Sequence, residues 1–230
     1  MPESMTDTQA LLEKHHRNGE RFAELMKQTA ADRFTEEFWQ VWEKWVVPVY
    51  SEPQPVVMDL GTGPGTFLHM LADRYPGIHG IGVECASYML DAMGELPANA
   101  EIVAEDLHDP HLPMADASVD AALASVVLHE MQQPVKTLFE VQRCLKPGGR
   151  FFILDWVRAP LSLYLEDKAP ELFRRETPVA ELEDIFVHFV EHNRFSREDL
   201  GYLLEKTGFR VLESTPFKEG RFARVIAERV

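Results

Sequence analysis

A glycine-rich turn directly after an apolar run constrains the fold of this chain more than any other feature. The run Val56–Leu60 is followed by Gly61, Gly63 and Gly65, and an amphipathic segment begins immediately after them. Glycine has no Cβ atom, so such a turn can bend tightly and let a ligand approach the backbone closely. A strand, a glycine-rich turn and a helix in this order predict the first βα unit of a sheet that binds a nucleotide-like cofactor.

The residues after this turn alternate between short apolar runs and amphipathic segments, which is typical of βαβ units around a parallel sheet. Strands are predicted at residues 56–60, 80–84, 101–104, 119–126, 150–155, 211–216 and 222–229. Helices are predicted at 65–74, 86–93 and 134–145, and another is expected to begin after Ser196 and end at Gly208. The pattern predicts an α/β fold.

Two segments lie outside this alternation. Residues 1–54 show helical spacing of apolar side chains, and residues 158–195 form a charged, helix-prone interruption before the last two strands. We therefore predict an N-terminal helical cap over residues 1–54 and a cofactor-binding domain over 55–230. Within that domain, residues 158–195 are expected to form a helical lid.

Composition narrows the class of protein. The chain has 230 residues with 23 basic and 38 acidic side chains, a net charge of −15 that disfavours nucleic-acid binding. A chain of this length buries roughly 70% of its unfolded surface and needs no disulfide, and Cys85 and Cys144 lie far apart. No apolar run is long enough to span a membrane, and the start of the sequence does not resemble a signal peptide. We expect a cytoplasmic protein that binds neither nucleic acid nor membrane.

The charge next to the turn distinguishes between two cofactor classes. Asp59 lies just before the turn, and Gly65 comes one position too early for a dinucleotide motif, where Thr66 stands instead. A carboxylate here repels a pyrophosphate but suits a ligand that carries an ammonium and a sulfonium group. The sequence thus favours S-adenosylmethionine, and an NAD-linked oxidoreductase is the alternative that this charge disfavours.

The next two predicted strands end in acids that suit an adenosine. Glu84 follows Gly61 by 23 residues and can accept hydrogen bonds from ribose hydroxyls. Asp106 can accept from an adenine amino group, with Leu107 beside the ring.

With these residues the chain resembles the class I S-adenosylmethionine-dependent methyltransferases, most closely the small-molecule branch that includes ubiquinone and menaquinone C-methyltransferases. The resemblance covers roughly residues 55–217 and is carried by ordered motifs: Asp59–Gly65, Glu84, Asp106-Leu107, Val119–Ala122, Leu128–Glu130 and Leu145–Gly149. It implies a Rossmann-like, seven-stranded, mostly parallel sheet with an antiparallel last strand, and a structural turn at Lys146–Gly149.

The resemblance also implies which residues hold the cofactor. The glycines pass under its methionine part, Asp59 organises its amino group, Glu84 binds the ribose and Asp106 recognises adenine. The full set is Asp59, Gly61, Thr62, Gly63, Gly65, Glu84, Cys85, Asp106, Leu107, Ser125 and Val126.

Methyl transfer from a sulfonium is an in-line displacement, so the protein mainly aligns the reactants and excludes water. A base is needed only if the acceptor loses a proton. His129, Glu130 and Asp155 follow strand ends on the active face and are the candidate catalytic residues. The acceptor atom, which is N, O, S or C, and the oligomeric state stay open, and a non-catalytic sensor or partner subunit that binds the same cofactor is the alternative function.

Aromatic and histidine side chains are the candidates for contact with a small-molecule acceptor: Trp39, Trp42, Trp156, Tyr164, His188 and His192. Tryptophans at offsets of three are more often the packing stripe of a helix, and contact with the acceptor is the alternative. His188 and His192 lie four apart, but no third ligand with matching spacing follows, so no metal site is predicted. The surplus of acids favours a neutral or cationic acceptor over a phosphorylated one.

Overall fold

The computed structural model describes residues 8, 12, 16, 18–165 and 169–230, without the side chains of residues 169, 170 and 192. The strands are β1 (Val56–Leu60), β2 (His79–Glu84), β3 (Ala100–Ala104), β4 (Val119–Ser125), β5 (Leu145–Trp156), β6 (Phe209–Phe217) and β7 (Phe222–Arg229). They form one seven-stranded sheet in the order β3-β2-β1-β4-β5-β7-β6.

Strand directions agree with the predicted topology. β1 pairs in parallel with both β2 and β4, whereas β7 runs antiparallel to both β5 and β6. The central strands are nearly continuous apolar runs because helices cover both faces of the sheet. The predicted α/β fold, a mostly parallel sheet with a reversed last strand, is confirmed.

Helices flank the sheet on both sides. Their bounds are α1 (Gly19–Gln28), α2 (Ala30–Arg33), α3 (Glu36–Trp45), α4 (Thr66–Arg74), α5 (Ser87–Ala92), α6 (Val135–Cys144), α7 (Leu161–Leu165), α8 (Ala169–Leu172), α9 (Val179–His192) and α10 (Arg197–Lys206). α10 begins where the sequence predicts, because Ser196 and Asp199 form a reciprocal capping box. Within the described part of the chain, none of these helices has the length and apolar character required to cross a membrane.

The helix α3 belongs to the core of the sheet. Trp42 is completely buried, its ring lies 5.5 Å from that of Phe152 on β5, and its indole nitrogen donates to Tyr50. Trp39 is 4% exposed and stacks on Phe67 of α4 at a ring distance of 6.0 Å. α3 thus uses both rings to cover the sheet, and the predicted contact of Trp39 and Trp42 with the acceptor stays a prediction. The predicted domain boundary at residue 54 stays a prediction.

The segment Lys146–Gly149 lies inside β5, which therefore begins five residues earlier than the predicted residue 150. Pairing between β4 and β5 shifts there, since Val119 pairs with Leu145 but Ala121 pairs with Arg150. The turn that the resemblance implies is thus a bulge within a strand.

The topology creates a crevice at one edge of the sheet. The chain passes from β1 to β2 and β3 on one side and returns to β4 on the other side of β1. Ligands of open α/β sheets bind at the carboxyl ends of the strands where the order reverses in this way. α9 packs against the turn Leu128–Glu130 that follows β4, so the predicted lid segment borders this edge.

Candidate active site

The glycine-rich turn between β1 and α4 has the backbone conformation that its sequence predicts. Gly61, Gly63 and Gly65 have positive φ angles of 62°, 56° and 76°. A Cβ atom on Gly61 would lie 2.5 Å from Cγ2 of Val127, so only glycine fits there. Gly65 caps α4 and lies beside Met93 rather than at the wall of the crevice.

Asp59 is buried at the end of β1 beneath this turn. It is 3% exposed, and its Oδ2 atom accepts a hydrogen bond from Thr62 Oγ1 at 2.6 Å. Burial raises the pKa of Asp59 to about 7, an effect that the charge of Glu84 increases and that Thr62 and the charge of Arg33 oppose. A cationic ligand group would therefore be stabilised beside this carboxylate.

Glu84 ties the end of β2 to the glycine turn. One carboxylate oxygen accepts from Gly63 N at 2.9 Å, and the other accepts from Cys85 N and Ala86 N at 2.8 Å each. Burial raises the pKa of Glu84 although these bonds oppose the shift, and burial raises the pKa of Cys85 to about 12. A carboxylate has about four acceptor positions, so the remaining capacity suits a hydroxyl group.

Asp106 follows β3 and is contacted from the N-terminal region. Thr8 donates to its Oδ2 atom at 2.6 Å, and the backbone N–H of His108 donates to Oδ1 at 2.9 Å. Burial raises the pKa of Asp106, but the bonds from His108 and Thr8 outweigh burial and lower it overall. Leu107 lies next to this carboxylate in the same wall.

These residues line one cleft at the carboxyl ends of the strands, the place where open α/β sheets bind small molecules. Of the predicted cofactor residues, all but Gly65 lie in its wall: Asp59, Gly61, Thr62, Gly63, Glu84, Cys85, Asp106, Leu107, Ser125 and Val126. The Oγ atom of Ser125 is buried and has no hydrogen-bond partner among the described residues. An unpartnered buried hydroxyl is costly, so it favours a polar ligand at this position.

The N-terminal region supplies wall residues that sequence reasoning missed, namely Thr8, Leu12, His16, Phe22, Met26, Arg33 and Phe34. Arg33 is the chemically informative one. Burial lowers its pKa and the charge of Asp59 opposes this shift, while its Nε atom is buried without a hydrogen-bond partner in the described part of the chain. The cleft thus places a cation and an anion side by side. Nothing in the local sequence around Arg33 marks it, because its role depends on where α2 packs.

Glu130 is the predicted catalytic residue that lines the cleft. Its Oε1 atom lies 3.1 Å from His16 Nε2, and His16 Nδ1 lies 2.5 Å from the hydroxyl of Tyr88. A carboxylate and two hydrogen-bonding rings therefore meet at the mouth of the cleft.

His129 and Asp155 lie behind Glu130. His129 is 2% exposed and its Nδ1 atom lies 2.6 Å from Asp155 Oδ1, while its Nε2 atom lies 3.9 Å from Glu130 Oε1. Burial lowers the pKa of His129, but the charge and hydrogen bond of Asp155 outweigh it and raise the pKa overall. Neither side chain lines the cleft, and the catalytic roles of His129 and Asp155 stay predictions.

Three of the other predicted acceptor contacts, Trp156, Tyr164 and His188, do not line the cleft. Trp156 packs edge-to-face on Phe222 at a ring distance of 4.9 Å. Tyr164 lies 6.3 Å from His188, measured between ring centres, within the predicted lid segment. The side chain of His192 is outside the described residues. The acceptor roles of Trp156, Tyr164, His188 and His192 stay predictions.

Comparison with known proteins supports the same family. Residues 58–153 match the family described as Methyltransferase domain. A demethylmenaquinone methyltransferase of Thermotoga maritima is 31% identical over 115 residues, which are 50% of this chain and 49% of that protein. The chain spans about half or less of the length of the first curated relatives that it matches.

Solved structures share the fold. A S-adenosylmethionine-dependent methyltransferase from Aquifex aeolicus is 20% identical with a TM-score of 0.65, covering 92% of this chain and 98% of that one. Geranyl diphosphate C-methyltransferase from Streptomyces coelicolor, solved with S-adenosylhomocysteine, is 16% identical with a TM-score of 0.60, covering 83% and 78%. Over the matched residues these findings confirm the predicted resemblance to methyltransferases, and the solved structures confirm the fold.

Proposed function

We propose that this chain transfers a methyl group from S-adenosylmethionine to a small-molecule acceptor. The observation that carries the proposal is the charge pattern at the glycine turn, where buried Asp59 and the cationic Arg33 face one cleft. The methionine part of the cofactor carries an ammonium and a carboxylate, which match this pair in sign. When bound, the cofactor supplies a methyl group activated by its sulfonium.

The residues of the cleft fit this cofactor one by one. The backbone at Gly61 and Gly63 permits close approach, and Asp59 would hold the ammonium while Arg33 takes the carboxylate. We assign the ribose hydroxyls to Glu84 and the adenine amino group to Asp106, as the resemblance implies. Ser125 offers a hydroxyl without a partner in the described structure to the same ligand.

The N-terminal residues give the chain a means to exclude water from the reaction. Thr8, Leu12 and His16 line the cleft. Hydrogen bonds from Thr8 to Asp106 and between His16 and Glu130 tie this region to the residues assigned to the cofactor and the acceptor. A dry, aligned cleft is what a displacement on an activated carbon requires.

Glu130 is the group that can take a proton from the acceptor, because its carboxylate faces the cleft. His129 is a positioning residue in this scheme. Held by Asp155 at 2.6 Å, it fixes the turn that presents Glu130 and adds positive charge beside it. An acceptor that loses no proton on methylation would not need Glu130 as a base.

Calorimetry with S-adenosylhomocysteine tests the cofactor assignment. We expect saturable binding, weakened about 10- to 100-fold in Asp59→Ala because a charged hydrogen bond is lost. Asp91→Ala, an exposed acid on α5, is the control that should leave binding unchanged. Absence of binding, or equal binding by Asp59→Ala, would contradict the proposal.

A second experiment separates catalysis from binding alone. Incubation with methyl-labelled cofactor and fractionated metabolites should yield a labelled product that identifies both the acceptor and the atom. If S-adenosylhomocysteine binds but no fraction becomes labelled, the chain is a cofactor-binding sensor or partner subunit instead. Preferential binding of NADH would point to an oxidoreductase.

A further inference from the structure

A second cavity lies beside the cofactor cleft. The two share Arg33 as a common wall residue. They also meet at the sheet, because Val126 of the cleft donates its backbone N–H to the carbonyl of Leu154, which lines the second cavity, at 2.8 Å. The second cavity is therefore next to the end of the cleft assigned above to the methionine part of the cofactor.

Part of the wall of this cavity is apolar. Phe38 and Leu154 are buried at its floor, and Phe222 packs on Phe217 at a ring distance of 5.1 Å. These side chains come from α3, β5 and the two last strands, so the floor is built on rigid elements. Such a surface fits a ring-sized apolar body.

The remaining wall is charged. Lys218 and Arg224 line it together with the shared Arg33, against two acids, Asp32 and Glu37. The lining therefore carries one cation more than acids, although the whole chain has a net charge of −15. Local charge, rather than the total, determines which ligand a cavity accepts.

The Nε–H group of Arg224 is a buried donor without a partner among the described residues. Its two terminal nitrogens pair with Glu37 and Glu213 at 3.2 and 3.3 Å, but its Nε atom is buried and has no partner among the described residues. The side chain of Glu37 is 77% exposed, so water screens its share of the pairing. A guanidinium with an unfilled buried donor suits a planar carboxylate.

We propose that this second cavity binds the methyl acceptor, and that the acceptor carries a carboxylate on an apolar, ring-sized body. The carboxylate meets Arg224 and Lys218, the body lies on Phe38, Leu154 and Phe222, and the accepting atom extends past Arg33 into the cofactor cleft, whose wall includes Glu130. This inference rests on the proposed methyltransferase function and replaces the expectation, drawn from total charge, of a neutral or cationic acceptor.

Two probes of equal shape and different charge test this inference. Protein saturated with S-adenosylhomocysteine is titrated by calorimetry with 2-naphthoate and, separately, with its neutral amide, 2-naphthamide. We expect the carboxylate to bind at least tenfold more tightly than the amide. That preference should fall below about threefold in Arg224→Gln.

Two further variants complement Arg224→Gln. Arg210→Gln removes an arginine that pairs with Glu228 on the neighbouring strand and lies outside the cavity, so it should retain the preference. Lys218→Gln changes an exposed side chain and should reduce the preference for the carboxylate probe about threefold. If Arg224→Gln does not fold, this variant tests the acceptor site instead.

The outcomes distinguish the two proposals. No binding of naphthoate, equal binding of the two probes, or a preference that survives both Arg224→Gln and Lys218→Gln would overturn the acceptor site alone. If S-adenosylhomocysteine itself fails to bind in a prior titration, the proposed function fails, and the acceptor site fails with it.

Discussion

The two sides of the cleft differ in whether backbone groups or side chains form the wall. On the sheet side, the glycine turn and the backbone N–H groups that hold Glu84 define the wall. On the N-terminal side, the wall consists of side chains such as Thr8, His16 and Arg33 that reach across from separate helical segments. A wall made of backbone is fixed by conformation, whereas a wall made of side chains depends on packing between distant segments.

This difference suggests that the two walls have different functions. In the proposed function the backbone wall binds the cofactor, which is the same for every acceptor, and this wall tolerates few substitutions. The side-chain wall and the second cavity can change by single substitutions without altering the sheet. Fold and cofactor are therefore specified more strictly than the acceptor.

The largest expected effect is that of Gly61→Ala. The new Cβ would lie 2.5 Å from Val127 in a backbone conformation with φ of 62°, so the turn must distort. We expect affinity for S-adenosylhomocysteine, measured by calorimetry, to fall at least about 300-fold. Gly148→Ala has a comparable φ of 77° without any contact within 4 Å and should bind normally. Normal binding by Gly61→Ala would show that the wall is not fixed by its backbone.

The ion pair behind Glu130 should give the next largest effect. The raised pKa of His129 means that the pair stabilises the fold fully below the ordinary histidine pKa and less as pH rises through the raised value. Asp155→Asn should cost about 3 kcal/mol in urea unfolding at pH 5.5 and less at pH 9. Asp116→Asn, whose side chain is 78% exposed, should cost under about 0.5 kcal/mol. An equal loss at both pH values for Asp155→Asn would argue against a charged pair.

Cofactor binding should depend on pH through Asp59. Burial raises the pKa of this carboxyl to about 7, and only its anionic form attracts an ammonium group. Affinity for S-adenosylhomocysteine should therefore be about tenfold lower at pH 6 than at pH 8. Asp59→Asn should bind more weakly and lose this dependence. The same pH dependence in Asp59→Asn would assign the titration to another group.

The smallest expected effect concerns the side-chain wall. Thr8→Val removes the hydrogen bond to Asp106 and frees this carboxylate for the ligand. One hydrogen bond contributes about 1 kcal/mol, so affinity for S-adenosylhomocysteine should rise about fivefold by calorimetry. Thr8→Ser keeps the hydroxyl and serves as the control. A loss of affinity in Thr8→Val would mean that Thr8 helps to hold the ligand.

Local signals predicted the sheet and the cofactor side of the cleft. The bounds of β1 and β7 match the predicted strands at 56–60 and 222–229, because apolar runs between turn residues leave few alternatives. The backbone of the glycine turn follows from glycine itself. β5 was predicted too short, because Lys146–Gly149 reads as a turn although the chain continues in the strand through a bulge.

Contacts across long stretches of sequence could not be predicted. Thr8 and Asp106 are 98 residues apart, and His16 and Glu130 are 114 apart. Helical periodicity showed that α3 has an apolar face but not what covers it, so the sequence left both packing and acceptor contact open for Trp42. The second cavity likewise depends on α3, β5 and the last strands coming together.

The position of β7 has a consequence for biosynthesis. β7 lies between β5 and β6, so β6 joins the sheet only through a strand that is translated after it. Until residues 222–229 leave the ribosome, the nascent chain presents an unpaired edge of β5 and a β6 without its partner. Unpaired strand edges of this kind can start aggregation, so the nascent chain is open to it until β7 has paired with both neighbours.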